Sequence, residues 1–574
     1  MTGVQTCALP ISGSGGIGPD GNVVGATDQR SQIKTFNIAP TWTRVLNQTA
    51  VLTLGAFVRR DGYNYYGSKN PFADLGPIQN STISQRRTLT NAGLRSDVSY
   101  VKGIHTLKVG ATYQQTFLGE NFGLGIVNPV LNSPCLDTSN NPVPGFNDPS
   151  QCAGAGLLPN TVSNPNAANP FVPLLGCFDL TRANPSANDS CANSKSTSYP
   201  FRGHTDIKEL ALYIQDQISK GNWVVNLGIR GDLYNGLTVA RQAEPRVGLS
   251  YNVKHTNTVL RLSYARSLES PFNENLIVSS TGCQSAVLST LIPCINAPVL
   301  PAYRNEFHAG LQQAFGRYAV VSGDYIWKYT HTGYDFSVLA ATPIFFPVAW
   351  HNSKIPGYAI RVSVPTIHGF SALMVMSSVT ARFFPPQTSG LGTTVGQSGR
   401  PFRIDHDEKF NQTTHLQYQP WKTGPWVGFN WRYDSGLVAG SVPFAVDKTT
   451  PVDLTGFTAD QQLQAGLFCG SQHPTLSTPL TTCAPAQFGS TLVKIPAPGT
   501  QDPDHNPQRI APRSLFDLSV GDDNLFKGDR YKWSLQVTAI NLMNKKALYN
   551  FLSTFSGTHY VTPRAVTAQL AFHF

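Results

Sequence analysis

The chain has 574 residues, 13% of them charged and 41% hydrophobic, with a formal net charge of +10. No run of about 18 apolar residues occurs, which excludes a membrane-crossing helix. Plentiful Gly (50), scarce Met (4) and an aromatic content of 10% mark a β-rich, turn-rich chain.

Met1–Ile11 (MTGVQTCALPI) lacks the basic start and long apolar core of a signal peptide. It matches one reading frame of a common sequencing-library adapter. The segment is read as an artefact, Cys7 included, with residues 12–33 as a truncated lead-in and the native gene cut upstream of Ser12. From Lys34 onward, apolar and polar residues alternate in segments that come in pairs, and a period of two places alternate residues on opposite faces of a strand. The expected pairs are 34–46 with 48–64, 85–101 with 104–119, 207–219 with 222–235, and 244–254 with 257–268. They continue as 303–315 with 318–335, 357–366 with 369–385, 407–420 with 425–439, and 514–523 with 532–541, and the single strand 563–574 makes seventeen. Connections within pairs are mostly tight, as at Lys102-Gly103, Lys220-Gly221 and Gly316-Arg317, whereas those between pairs are mostly long. In an up-and-down sheet successive connections alternate between the two ends, so short turns gather at one end and long loops at the other.

The faces sort by polarity. Trp223, Val225, Leu227, Ile229 and Leu233 alternate with Val224, Asn226, Gly228, Arg230, Asp232 and Tyr234. Val321, Tyr325 and Trp327 oppose Ser322, Asp324 and Lys328, and Trp533, Leu535, Val537 and Ala539 oppose Ser534, Gln536 and Thr538. Apolar-out and polar-in is the pattern of a membrane barrel with a hydrated lumen; the solvent face of a soluble sandwich offers the same alternation. Trp42, Trp223, Tyr234, Trp327, Tyr329, Trp421 and Trp426, near strand ends, are expected in interfacial girdles, or else in cross-strand aromatic pairs. In the last segment Val566, Ala568, Leu570, Phe572 and Phe574 share one face. Chain ends normally fray, so a patterned strand running to a terminal Phe is a pointed observation. The fold expected is all-β: a transmembrane antiparallel up-and-down β-barrel with long extracellular loops.

Cys135, Cys152, Cys177 and Cys191 lie in the 120–206 loop, Cys283 and Cys294 in 269–302, and Cys469 and Cys483 in 440–513. Even counts within each loop predict local disulfides and an oxidising compartment, with three pairings open in the first loop. A metal site is not expected, since no C-x-x-C occurs and His473 alone lies between Cys469 and Cys483. No P-loop, G-x-S-x-G, H-E-x-x-H or dinucleotide fingerprint is present, so neither an enzyme nor a cofactor is expected. The cluster Asp405-His406-Asp407-Glu408, and Asp502, Asp504 and His505 in a Pro-rich loop, read as solvated rim. Lys and Arg are scattered without a dense tract, so no nucleic-acid partner is expected. The basic charge suits a lumen favouring anionic solutes, or contact with anionic outer-leaflet lipid.

RLSYARSLESPF (Arg261–Phe272), RNEFHAGLQQAFG (Arg304–Gly316) with VVSGDYIWKY (Val320–Tyr329), AINLMN (Ala539–Asn544) and FSGTHYVTPR (Phe555–Arg564) with the terminal strand stand in a fixed order relative to the chain end. Together they resemble the barrel of TonB-dependent outer-membrane receptors, in particular the Oar-like group, over nearly everything after about residue 34. The resemblance implies a barrel that the family builds from 22 strands around a plug, preceded by a signal peptide and a TonB box, in the bacterial outer membrane. It implies energy-coupled uptake of a ligand, here unidentified, with the TonB complex, the barrel-assembly machinery and outer-membrane lipid as partners. Leu570, Phe572 and Phe574 are then the signal that the assembly machinery reads. Residues 34–574 would be an incomplete barrel whose plug and five strands are missing by truncation, because unpaired strand edges are costly in lipid. Two other readings remain: a passive channel or structural, adhesive outer-membrane barrel, and a soluble secreted disulfide-bonded β-protein that binds glycans.

Overall fold

The computed structural model describes residues 28–574 except 69–73, 75–80, 127–134, 142, 144–145, 147–150, 160–198, 286–287, 290–291, 293, 296, 340–341, 343, 393–398 and 554–556. The alternating segments become strands. β1 comprises Arg30–Ile38 and Thr41–Asn47, two stretches broken at Ala39-Pro40 that pair with one partner. β2 is Ala50–Tyr66, β3 Ser81–Lys102, β4 His105–Ile126, β5 Tyr199–Lys220 and β6 Trp223–Asn235. β7 is Val239–Val253, β8 Thr258–Glu269, β9 Ala302–Phe315, β10 Ala319–Val338, β11 Phe345–Ile367 and β12 Phe370–Val379. β13 is Asn411–Tyr418, β14 Pro425–Asp434, β15 Arg513–Asp522, β16 Lys532–Ile540 and β17 Ala565–His573. The main sheet has 20 segments; β1 uses two, and Arg382–Ser389 and Phe402–Arg403 are short pieces beyond β12, which leaves the seventeen expected.

Each strand pairs antiparallel with its neighbours in sequence, from β1·β2 to β16·β17. All the long connections therefore leave one end. Among the described residues β1 and β17 do not pair with each other. No described helix is long and apolar enough to cross a membrane. The outward faces carry rows of exposed Leu, Ile, Val and aromatic side chains, among them Leu94, Tyr113, Leu212, Ile229, Leu262, Phe307, Trp327 and Leu570. Exposed apolar surface on this scale marks a lipid-facing wall: the chain is a transmembrane antiparallel barrel sheet.

Several strands outrun the expected boundaries on the long-loop side, whereas β12, β13 and β14 stop short of them. β3 and β4 have 22 residues each and β11 has 23, where about 9–11 tilted residues cross the bilayer. Two aromatics leave the expected girdle. Tyr234 points inward and is 2% exposed, and Trp426 packs so closely over Gly521 that a Cβ there would stand 2.5 Å from its ring. Both hold even positions on strands whose odd positions face lipid. The buried side chains gather above the membrane wall, where Ile83 and Phe122 of β3 and β4 meet Phe346 and Val348 of β11 in one apolar cluster. Contact between strands so far apart in the meander shows that the sheet is rolled.

Candidate functional site

The connection from β8 to β9 folds across the mouth of the rolled sheet. Its helix α1, Leu276–Thr281, is buried through its first five residues. Asn275 precedes it in the left-handed region (φ 54°, ψ 33°), which Asn tolerates better than most residues. From there its side chain accepts from the Gln85 amide on β3 and donates to the Phe345 carbonyl on β11. One residue thus ties opposite sides of the mouth together.

Glu120, at the outer end of β4, is fully buried and accepts from the backbone N–H groups of Ile277 (3.0 Å) and Val278 (2.9 Å). It lies beyond Phe117, the last apolar outward side chain of β4. Burial pushes its pKa up to about 7, against the lowering pull of those two amides and of Arg87. Arg87 of β3 pairs with Glu274 at 3.0 Å, Ser279 Oγ donates to the Pro347 carbonyl, and the Val299 N–H donates to Ser280 Oγ at 3.2 Å. Ile277 presses on β5 at Gly203, where a Cβ would stand 2.4 Å from Ile277 Cγ2, so glycine is required for this approach. Cys283 is joined to Cys294, with Cα atoms 5.5 Å apart, and Cys294 bridges to Leu391 beyond β12. The 269–302 connection is therefore a lid fastened to β3, β4, β5 and β11.

Where the connection leaves β8, at Ser270, a polar cavity of about 190 Å³ is lined by β5 to β8. Arg230 pairs with Asp232 at 2.7 Å, Arg246 with Glu244 at 3.3 Å, and Glu209 accepts from Ser270 Oγ. Farther round the wall, Glu306 is shared by Arg304 (3.4 Å) and Lys328 (3.8 Å), and Arg432 meets Asp517 at 3.2 Å. Lumenal cations are thus largely matched by carboxylates. The wall presents a mosaic of both signs, suited to binding polar solutes and guiding them.

Of the expected solvated rim, His406 is exposed and Asp405 and Glu408 are half-buried, but two carboxylates are buried. Asp407 is 1% exposed and Asp504 is 3% exposed. Arg403 reaches both carboxylates, at 3.2 Å and 3.0 Å, while Arg509 also holds Asp407 and Arg382 also holds Asp504. Despite burial, Arg382 and Arg403 keep the Asp504 carboxyl below its usual range. Asp407 and Asp504, from two clusters separate in sequence, are thus joined through Arg403 in one charge network that pins the 440–513 connection to the barrel edge. Asp502 and His505 remain at the surface, as expected. Among the described residues no group of His, Cys, Asp and Glu is arranged to hold a metal ion. That connection packs an apolar core together with Leu548 and Phe551 from beyond β16, and carries a helix α2, Ala459–Ala465, started by a Thr458/Gln461 capping box.

Cys469 is joined to Cys483, and Cys135 to Cys152, one of the partners left open by the sequence. Cys177 and Cys191 fall outside the described residues. At the terminal strand Phe572 stacks among Tyr531 (5.9 Å), Trp533 (4.9 Å) and Phe574 (5.9 Å), with Leu570 exposed on the same outward face. Sequence reasoning missed Glu120, Asn275 and Gly203. The only local hint was the proline-ended element Arg261–Phe272, which leads into the lid.

The family model "TonB dependent receptor-like, beta-barrel" matches residues 19–360. No curated protein matches by sequence. Among solved structures, the unliganded ferric citrate transporter FecA superposes with a TM-score of 0.53 at 12% identity, covering 94% of this chain and 62% of that one. For the copper transporter OprC the values are 0.56, 9%, 96% and 67%. For the pyoverdine outer membrane receptor FpvA of Pseudomonas aeruginosa PAO1, bound to pyoverdine, they are 0.52, 12%, 97% and 63%. At these identities the likeness is one of fold, and the chain spans about six tenths of the FecA chain.

Proposed function

This chain belongs to the TonB-dependent receptor β-barrel family, and we propose that it supplies the wall, lumen and lid of an energy-coupled outer-membrane transporter. The carrying observation is the 269–302 lid, drawn over the mouth and fastened by Glu120 and Asn275 to opposite sides of the rolled sheet. A cover fastened by side-chain contacts, outside the hydrogen-bond ladder of the wall, suits a gated importer better than an open pore. A ligand would meet the extracellular loops, displace the lid and pass the mixed-charge wall, while the TonB complex works on a plug threaded inside the lumen. FecA, OprC and FpvA are named for different cargoes, so fold likeness leaves the ligand of this chain open. We assign it no catalytic role and no cofactor. The barrel-assembly machinery would read Leu570, Phe572 and Phe574.

The test is conductance of the parent full-length protein in a planar bilayer. A plugged transporter stays closed until mild denaturant loosens the plug and then conducts reversibly. Steady conductance without denaturant would establish the passive-channel reading instead.

A further inference from the structure

The outward face of β8 to β11 forms a lattice of four rows. Nearest the periplasmic turns is Leu260, Leu311, Gly323 and Ile360, and next is Leu262, Ala309, Tyr325 and Tyr358. The third row is Tyr264, Phe307, Trp327 and Pro356, and the fourth, toward the long loops, is Arg266, Asn305, Tyr329 and Lys354. Small residues at Ala309 and Gly323 leave an open apolar notch of about 530 Å³ across the first two rows. The third row is an aromatic shelf, with Tyr264 and Phe307 at 4.8 Å and Phe307 and Trp327 at 6.3 Å between ring centroids. In the fourth row Arg266 and Lys354 are exposed and form no ion pair with any described residue, unlike the paired cations of the lumen. Lys354 Nζ stands over the Tyr329 ring at 5.7 Å, and Asn305 accepts from the Tyr264 hydroxyl at 2.8 Å, which leaves its own amide hydrogens free to donate outward.

We infer that this face is a binding site for one phosphorylated lipid of the outer leaflet, and the inference rests on the outer-membrane placement of the chain. An acyl chain fills the notch, the aromatic row marks the interface, and the headgroup phosphate meets Arg266, Lys354 and the Asn305 amide. The geometry suits such a molecule. Notch and cations are about four residues apart along the strands, roughly 13 Å, within the reach of a single lipid. Arg266 and Lys354 stand three strands apart, about 14 Å, and bracket a headgroup broader than one phosphate. No carboxylate lies in these four rows to repel it. A neutral lipid would use the notch and leave both cations without a counter-charge.

The experiment is native mass spectrometry of the full chain in neutral detergent, titrated with diphosphoryl lipid A and with its dephosphorylated form. One diphosphoryl lipid A should be retained per chain, with a preference over the dephosphorylated form of about tenfold or more. The double variant Arg266→Gln/Lys354→Gln should abolish the preference. Gly323→Leu should cut retention of both forms; a Cβ there has open space and no positive φ, so the variant fills the notch without strain. Equal retention of the two forms by the wild type, an undiminished preference in the double variant, or full retention in Gly323→Leu would each overturn the site. Failure of the membrane reading is separate: it would show as a chain that does not insert into lipid vesicles, whereas an absent site leaves an inserted barrel without selectivity.

Discussion

Replacing Glu120 by Ala removes the acceptor of two buried backbone N–H groups, those of Ile277 and Val278. Each buried donor left unpaired costs about 1–3 kcal/mol, so the lid should loosen by about 2–6 kcal/mol. Hydrogen–deuterium exchange of 276–281 reads this directly, with the hairpin β5·β6 as an internal control that should not change. The wild type should also respond to pH. Burial raises the folded-state pKa of Glu120 from 4.5 to about 7. A raised carboxyl pKa contributes stability that is complete below the unfolded value and is lost as pH climbs through the folded one. Protection of the lid should therefore decline between about pH 4.5 and about 7, after correction for intrinsic exchange. The displacement corresponds to about 3 kcal/mol at most. Glu120→Gln cannot ionise, so its protection should be flat across that window. Unchanged exchange of 276–281 in Glu120→Ala, or a persistent pH slope in Glu120→Gln, would refute the reasoning.

Asp407→Ala leaves Arg403 and Arg509 without their shared counter-charge and should destabilise the attachment of 440–513 by about 3–5 kcal/mol, seen as new cleavage sites there under limited proteolysis. Cys469–Cys483 spans 14 residues, and its reduction should cost about 3 kcal/mol in the same loop. Non-reducing peptide mapping should recover that pair and Cys283–Cys294; free thiols or cross-loop links would contradict both. Deleting Phe574 from the parent full-length protein, or changing it to Asp, should reduce membrane-inserted material while synthesis continues. A charge at the shallow rim costs only about 0–1 kcal/mol, so a large loss in a membrane-fraction assay points to failed recognition during assembly, and Phe574→Tyr should insert normally.

The wall was legible because its information is local. Within the bilayer each strand must show lipid one face and the lumen the other, so a window of ten residues carries the pattern. β6 and β16 came out within a residue or two of expectation for that reason. Above the bilayer the rule lapses while the hydrogen-bond ladder continues. At Thr82–Ser84 and Phe345–Val348 both faces meet protein or water, the alternation fades, and the sequence reads as loop where the backbone is still paired. β13 and β14 fell short of expectation for the opposite reason. The residues flanking them, from Asp407 to Phe410 and from Ser435 to Ala439, are claimed by the charge network and the 440–513 core.

The lid was illegible because its contacts are long-range and singly weak. Glu120 and Ile277 are 157 positions apart, and Gln85 and Asn275 are 190 apart. Nothing within either segment marks the other, and a Glu at a strand end reads locally as a solvated charge. The same separation shapes what the lid can do. A wall strand is held by a continuous ladder, so no single contact decides its position. The lid is held to the wall by apolar packing of Leu276, Ile277, Val278, Leu288 and Ile292 together with a few polar contacts, and two of its amides depend on one carboxylate whose pKa lies near neutrality. An element fastened in this way stands outside the wall's hydrogen-bond ladder, so it can loosen while the barrel around it stays intact. That division of labour, a rigid wall encoded locally and a cover encoded at long range, is the arrangement that the proposed gated import would use.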